Sequence, residues 1–420
     1  MTTAKTLRIP ITNVFDGNDY SAQILIGSQK VAANVILDTG SSTLAVVPSV
    51  YQAAKDAAMK PTSLAQQVAY GTGQWLGPVV NTSLQFGDPA GDNVTLPSAP
   101  IALTVAQSAD DFTGVDGIMG LAFLSLNTAF DLKDYLVSKK INPPVTFPWP
   151  FPNIKFATSW KHFTELAKGS DVKATEIPPY FDDLETQGLT MNKFAFYTLR
   201  SWVRNASTNK TAIANDPWNQ GYFILGGGEE QTDLYSGDFV NVDVLHDVYY
   251  NTNLISVQVD GCAAVNALPL QPEFAGAASN CIVDSGTSAL VLSNDVFQAI
   301  MTSLEKLNPK FIGIIRHAQQ NGIPASMLNL SEWPAICFTL TGDTGNPVKL
   351  TCSPQTYWQE DFPSPGQAVC QIAPLGEKNP VHQSILGLPL MNNYFCVFDR
   401  SQGAGNGIIR FAPIKTPNNP

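Results

Sequence analysis

Residues 35–46 of this chain read VILDTGSSTLAV, and residues 281–292 return the pattern as CIVDSGTSALVL. In both, apolar residues lead into an Asp, a hydroxyl residue, a Gly and two more hydroxyl residues. The chain is then apolar again, with Leu44 and Leu290 in register. A second echo follows each copy: DGIMGLAF at 116–123 and SILGLPLM at 384–391, where two apolar residues precede a Gly. Two copies of a two-part pattern predict two similar lobes. Each is expected to run strand, tight loop carrying the Asp, strand, and later a second apolar strand whose Gly admits close backbone approach to that loop.

A chain of 420 residues with 44% apolar composition can bury a substantial core, and its length suits two or three domains or two halves around one cleft. Charged residues are only 14%, while 31 Gly, 30 Pro and short runs of Thr, Ser, Val and Tyr favour strands and turns: all-β, or β-rich with a few short helices. A formal charge of −11 without clustered Lys and Arg argues against a phosphate-binding surface, so nucleic acid is not an expected partner. Few basic groups also limit the positive charge gained in acid. No segment approaches the roughly 18 uninterrupted apolar residues of a membrane span, and MTTAKTLRIP lacks the apolar stretch of a secretory signal. The expected location is cytoplasmic if Met1 is the native start, secreted or vacuolar if the start is processed or engineered.

Helices are expected to be few. Ser293 or Asn294 can cap one running to about Leu307, with Phe297, Ile300, Met301 and Leu304 on one face. The tract 124–180 breaks the strand rhythm with the Pro-dense NPPVTFPWPFPN and a short helix around Trp160 to Lys168. It reads as an insertion on a first lobe of residues 1–198, with a second lobe at 199–420.

Hydrolysing an amide without metal or covalent intermediate needs a base to take a proton from water and an acid to give one to the carbonyl oxygen or leaving nitrogen. Two carboxyls about 3 Å apart supply both, because adjacent carboxylates cannot both ionise cheaply and so share one proton over a broad acidic range. Asp38 and Asp284 are the candidates. Gly40 and Gly286 permit a sharp turn and close passage of substrate backbone. Thr39 and Ser285 offer hydroxyls that can cross-brace the two loops, and Ser41 and Thr287 can hydrogen-bond the outer carboxylate oxygens. A lone D-[ST]-G is an ordinary turn sequence. Two copies, each followed by an apolar-apolar-Gly strand, are a far more specific signal.

With the flap-like VAYGTGQW, and with NKFAFYTL, GYFILGG, ILGLPLMNNYFCVFDR and GIIRFAPI, the chain resembles the pepsin-like aspartic peptidase family over nearly its whole length and in the family's order. The resemblance implies a bilobal acid-protease fold with pseudo-two-fold symmetry, a substrate cleft, and a shared interdomain sheet built from the N-terminal strand, the linker NKFAFYTL and the C-terminal strand. It implies a monomer needing no cofactor, whose partners are extended peptide or protein substrates and pepstatin-like inhibitors.

In that family a hairpin closes over the cleft. Tyr70 matches the Tyr at its tip, with Gly71 and Thr72 placed to bond substrate backbone. Ile36, Tyr70, Val115 and Ile118, with Phe112 nearby, match the pocket before the scissile bond and imply a preference for large hydrophobic side chains. Most relatives carry a Trp after the first Asp loop that bonds the flap Tyr, whereas this chain has Ala45 there. Trp75, five residues after Tyr70, can supply the missing indole donor, an exchange also seen in the similar β-secretase.

Two further features bear on biology. Thirty-seven residues precede Asp38, about what the mature fold needs, and this resembles the prosegment-less bacterial homologues of the shewasin type, whose activity would be limited by pH. The six cysteines are compatible with three bridges. By the resemblance, Cys337 and Cys370 match the family's bridge in the second lobe. Cys262 with Cys281 is a further option, leaving Cys352 with Cys396. A reducing cytoplasm would instead keep all six as thiols. Five sequons, at Asn81, Asn93, Asn205, Asn209 and Asn329, matter only on a secretory route.

Rival chemistries fit less well. The four histidines form no HExxH, the cysteines form no CxxC pair, and no metal site is expected. GxSxG is absent. Cys281 lies near Asp284, but its apolar CIVD context suits a buried sulfur better than a nucleophile. The alternative that remains is a catalytically silent pepsin-like binding or inhibitor protein.

Overall fold

The computed structural model describes residues 4–13, 19–71, 73–108, 112, 114–152, 155–200, 215–276, 278–364, 366–376 and 381–417. The chain divides into two units, Met1–Leu7 with Ser21–Met191, and Arg8–Tyr20 with Asn192–Pro420. Both are rich in strands with short helices between, the pepsin-like bilobal class.

The sequence echo becomes a topological one. In the first unit, Val31–Asp38 pairs in parallel with Gly117–Gly120, which pairs antiparallel with Leu44–Val46, which pairs in parallel with Asn93–Leu103. In the second, Cys281–Val283 pairs in parallel with Ser384–Leu386, that strand antiparallel with Leu290–Leu292, and that one in parallel with Ile372–Pro374. The series parallel, antiparallel, parallel is the same in both. These strands are covered on both faces, with Val35, Leu37, Ala45, Val46, Leu290 and Leu386 all buried, so they read as apolar runs. By contrast, Leu7–Thr12 has one covered face and alternates apolar with exposed residues.

The first unit also carries the hairpin Lys60–Ala69 and Gln74–Gly87, closed at its tip by Tyr70 N–H donating to Gly73 O at 2.7 Å. The tract after Leu124 adds two strands beside it: Thr128–Asp131 pairs with both the hairpin and Lys173–Glu176. Between them lie the Pro-dense turns and the helix Phe156–Leu166, which starts four residues before the expected Trp160. Phe156, Trp160 and Phe163 form its inner stripe at i, i+4 and i+7, with Phe156 and Trp160 rings 5.6 Å apart, so the apolar period extends the helix toward its N-terminus.

The second unit's part of the sheet is ordered Leu7–Thr12 (from Arg8 onward), Gln220–Leu225, Lys193–Tyr197, Tyr394–Asp399, Ile408–Pro413, Val240–Asp243. Phe194, Phe196, Phe223 and Phe398 pack on it with ring centroids 5.1–6.0 Å apart. The helix after the second Asp loop spans Asn294–Leu307 and buries Val296, Ile300 and Leu304. Phe297 and Met301, expected on that face, are half-buried flanks. Ser293 does not cap it with its side chain: Ser384 Oγ donates to Ser293 Oγ at 3.1 Å, tying the helix start to the Ser384 strand.

The expected bridges are corrected by the structure: Cys262, Cys281, Cys337, Cys352, Cys370 and Cys396 are all free thiols. Several sulfurs have oxygen partners instead. Cys262 Sγ donates to Ser303 O, Cys337 Sγ contacts Thr351 Oγ1 at 3.6 Å, and Cys352 Sγ donates to Pro389 O at 3.2 Å. Cys337 faces Thr351 in one sheet while its expected partner Cys370 faces Trp358 in another, so strand register does not set the two sulfurs against each other. Among the described residues no helix is long and apolar enough to cross a membrane.

Candidate active site

Each Asp sits at the C-terminal end of its strand, with a backbone amide and a hydroxyl on its carboxylate. In the first unit, Gly40 N–H donates to Asp38 Oδ1 at 2.7 Å and Ser41 Oγ to Asp38 Oδ2 at 2.5 Å. In the second, Gly286 N–H donates to Asp284 Oδ1 at 2.9 Å and Thr287 Oγ1 to Asp284 Oδ2 at 2.6 Å. Donors two and three residues ahead hold each carboxylate in one rotamer, so the loop orients its own acid. The carboxylates are 6% and 7% exposed, burial that an acid bears only with such donors; the neighbouring Thr39 and Ser285 are buried as well.

The glycines of the second echo explain how each loop is held. A Cβ on Gly120 would lie 2.5 Å from Ser42 N, and one on Gly387 would lie 2.1 Å from Thr287 O. Only hydrogen fits at these crossings. Backbone bonds then lock the contact: Gly120 N–H to Thr43 O, Leu121 N–H to Asp38 O and Ala122 N–H to Ser41 O in one unit, Asp284 N–H to Leu386 O and Leu388 N–H to Thr287 O in the other.

The hairpin's inner face meets the first Asp unit in one apolar cluster. Ala45, Trp75 and Ile118 are buried there, with Ile36, Val68, Tyr70 and Phe112 packed against them. Trp75 Nε1 donates to Tyr70 Oη at 3.3 Å. Ala45 is fully buried in the same cluster as the indole. Val115 is buried but outside this cluster, and Gly71 is exposed at the tip with open space around it. Thr72 lies outside the described residues.

A model of the eukaryotic aspartyl protease family matches residues 19–142 and 171–413. The chain belongs to the aspartyl protease family. Among curated proteins it is similar to a cathepsin E of Aquarana catesbeiana, 25% identical over 98% of this chain and 83% of that protein. A pepsin A of Suncus murinus is likewise 25% identical, over 96% of this chain and 83% of the relative. A β-secretase of Strongylocentrotus purpuratus is 20% identical over 91% of this chain, which spans 65% of that protein's length. These relatives support the aspartyl protease family as a whole, without support for the prosegment-less bacterial branch.

In this aspartyl protease, a polar cluster behind the hairpin escaped the sequence reading. Gln66 Nε2 donates to Asn127 Oδ1 at 2.9 Å, Thr43 Oγ1 donates to the same oxygen at 2.9 Å, and Asn127 Nδ2 donates to Ile177 O at 2.8 Å. It joins the segment after Asp38 to the hairpin strand Lys60–Ala69. Nothing in the sequence marks Gln66, Thr43 and Asn127, which are far apart along the chain and belong to no motif.

A cysteine nucleophile finds little support. Burial pushes the Cys281 and Cys352 thiols up to about 12, so both are protonated and poor nucleophiles. Among the described residues no cluster of three or more His, Cys, Asp or Glu is arranged to hold a metal ion.

Proposed function

We propose that this aspartyl protease is an endopeptidase working in acid, with Asp38 and Asp284 holding one water and one proton between them. The ionised member takes a proton from the water as its oxygen attacks the scissile carbonyl, while the protonated member donates to the carbonyl oxygen. The tetrahedral intermediate then collapses, its nitrogen leaving with a proton returned by the pair. Protonation belongs to the pair and to neither residue alone. Thr39 and Ser285 brace the two loops in this reading. Tyr70, Gly71 and Thr72 cover an extended substrate, and Ile36, Tyr70, Phe112, Val115 and Ile118 receive a large hydrophobic side chain beside the cut.

The observation that carries this reading is the duplicated setting of the two carboxylates: same loop, same amide, same hydroxyl, on the same strand series in each unit. A binding protein has no need to keep both acids oriented alike. Digestion of haemoglobin or casein at about pH 3–5, with and without pepstatin, tests it. The expected result is proteolysis abolished by pepstatin. A folded chain with no activity across that range favours the non-catalytic binding protein.

A further inference from the structure

The family match is interrupted at 143–170, and this interruption contains the helix Phe156–Leu166. Its contacts give it a place in the proposed reaction. The two faces of the hairpin have different neighbours. Leu64, Val68, Tyr70, Trp75 and Val79 join the cluster that includes Ile36, Ala45 and Ile118. Ala65 and Leu76 belong to a second cluster with Leu132, Leu136 and Phe163, against which Trp149, Phe151 and Trp160 pack. The interrupting segment therefore covers the face of the hairpin turned away from the Asp loop. A narrow crevice lined by Leu76, Trp149, Phe151, His162 and Phe163 marks the seam.

A polar fastening crosses the same seam. Gln67, three residues before Tyr70, donates from Nε2 to Trp160 O at 3.0 Å and to Thr164 Oγ1 at 2.8 Å. Thr164 Oγ1 in turn donates to Trp160 O at 2.9 Å. The same hydroxyl also reaches Gln67 Oε1 at 3.2 Å, so its single proton has an acceptor on either side of the seam while its lone pairs receive Gln67 Nε2. Gln67 pairs across the hairpin with Leu76, the residue after Trp75, so polar and apolar contacts grip both strands at one level.

We propose that the 143–170 segment is a buttress that holds the hairpin in its substrate-covering position, with Gln67 and Thr164 as positioning residues. Strand pairing holds the hairpin at Ala65 on one arm and at Trp75 and Leu76 on the other, and the tip beyond these pairings depends on side-chain contacts to stay in one position. Fastening one face supplies such contacts before substrate arrives, and binding is stronger by the fraction of closed hairpin gained. The kinetic part rests on the acid-peptidase reading; the mechanical part does not.

The test compares wild type with Gln67→Leu, Thr164→Val and Thr164→Ser by amide hydrogen exchange and by steady-state kinetics on one peptide. Gln67→Leu removes every side-chain hydrogen bond between Gln67 and the helix and is expected to raise exchange of the arm amides at 66–69 and 74–76 about tenfold. KM should rise by a similar factor while kcat changes less than twofold. Thr164→Val should show a smaller change of the same kind, and Thr164→Ser, which keeps the hydroxyl, should restore wild-type values. Unchanged exchange of the arm amides in Gln67→Leu overturns the buttress whatever the activity. Faster exchange supports it even if wild type cleaves nothing, an outcome that would count against the acid-peptidase reading alone.

Discussion

Trp75 Nε1 donates to Tyr70 Oη at 3.3 Å, joining the two strands of one hairpin across its tip. The indole is fully buried beside Ala45, so the ring is fixed by packing and the donor by the ring. The Tyr hydroxyl is thereby held at the end of a rigid side chain. Trp75→Phe keeps most of the ring and deletes the donor. Loss of one hydrogen bond, about 1 kcal/mol, predicts a fall in kcat/KM of about fivefold, and the ring atoms removed from a packed site lower the thermal midpoint as well. Wild-type kinetics and pepstatin affinity in that variant would show that the bond does not position Tyr70.

Gly387→Ala brings a methyl carbon within 2.1 Å of Thr287 O and 2.4 Å of Ala289 O, both backbone atoms that cannot step aside singly. The strand must move, and Thr287 moves with its hydrogen bond to Asp284. The expected cost is about 1–3 kcal/mol of stability, with activity falling further than the folded fraction accounts for. Gly71→Ala is the contrast: its surroundings are open, so stability should be unchanged. Chemical denaturation beside activity measurements on both variants checks the difference.

Asp56 predicts a specific response to acid. Burial alone would raise its pKa, but donors from Thr82, Tyr51 and Ser28 outweigh that and hold the carboxyl well below the usual carboxylate range. A depressed folded pKa contributes stability that is present above the unfolded value, about 4, and is lost as pH falls through the folded one. Asp56→Asn should therefore be less stable than wild type at neutral pH, with a gap that narrows as pH falls below about 4. Thermal melts from neutral to strongly acid solution measure it, and a gap independent of pH contradicts the assignment.

The thiols predict a simple titration. Six free cysteines mean that the protein, unfolded without reductant, should react with six equivalents of a thiol reagent. Native protein should react slowly, because five of the six are buried. Four equivalents or fewer would restore one or more of the bridges that the family resemblance implies.

The repeated Asp loop was legible because it is written twice, in chemistry that a single loop cannot make specific. Gly120 and Gly387 were legible for the same reason, since a close backbone crossing tolerates no other residue. The Trp75 to Tyr70 contact needed only a missing partner at Ala45 and a donor five residues away. Gln66, Gln67, Asn127 and Thr164 were not legible: a polar side chain that meets its partner only after strands and helices pack leaves no local pattern. The helix Asn294–Leu307 was found, but its buried face is rotated toward Val296, because tertiary contact with the neighbouring strands decides which edge of an apolar stripe is covered. The bridges failed for a related reason, since sequence spacing does not report in which sheet, or opposite which residue, each Cys comes to lie.

The most direct measurement is a double-mutant cycle on kcat at acidic pH with Asp38→Asn, Asp284→Asn and the double variant, each verified as folded. Two carboxyls acting on one water form a single unit, so each single substitution should lower kcat by at least about 10³-fold and the double should be scarcely worse than either. Near-wild-type turnover in either single variant, or losses that multiply in the double, would contradict a shared catalytic pair.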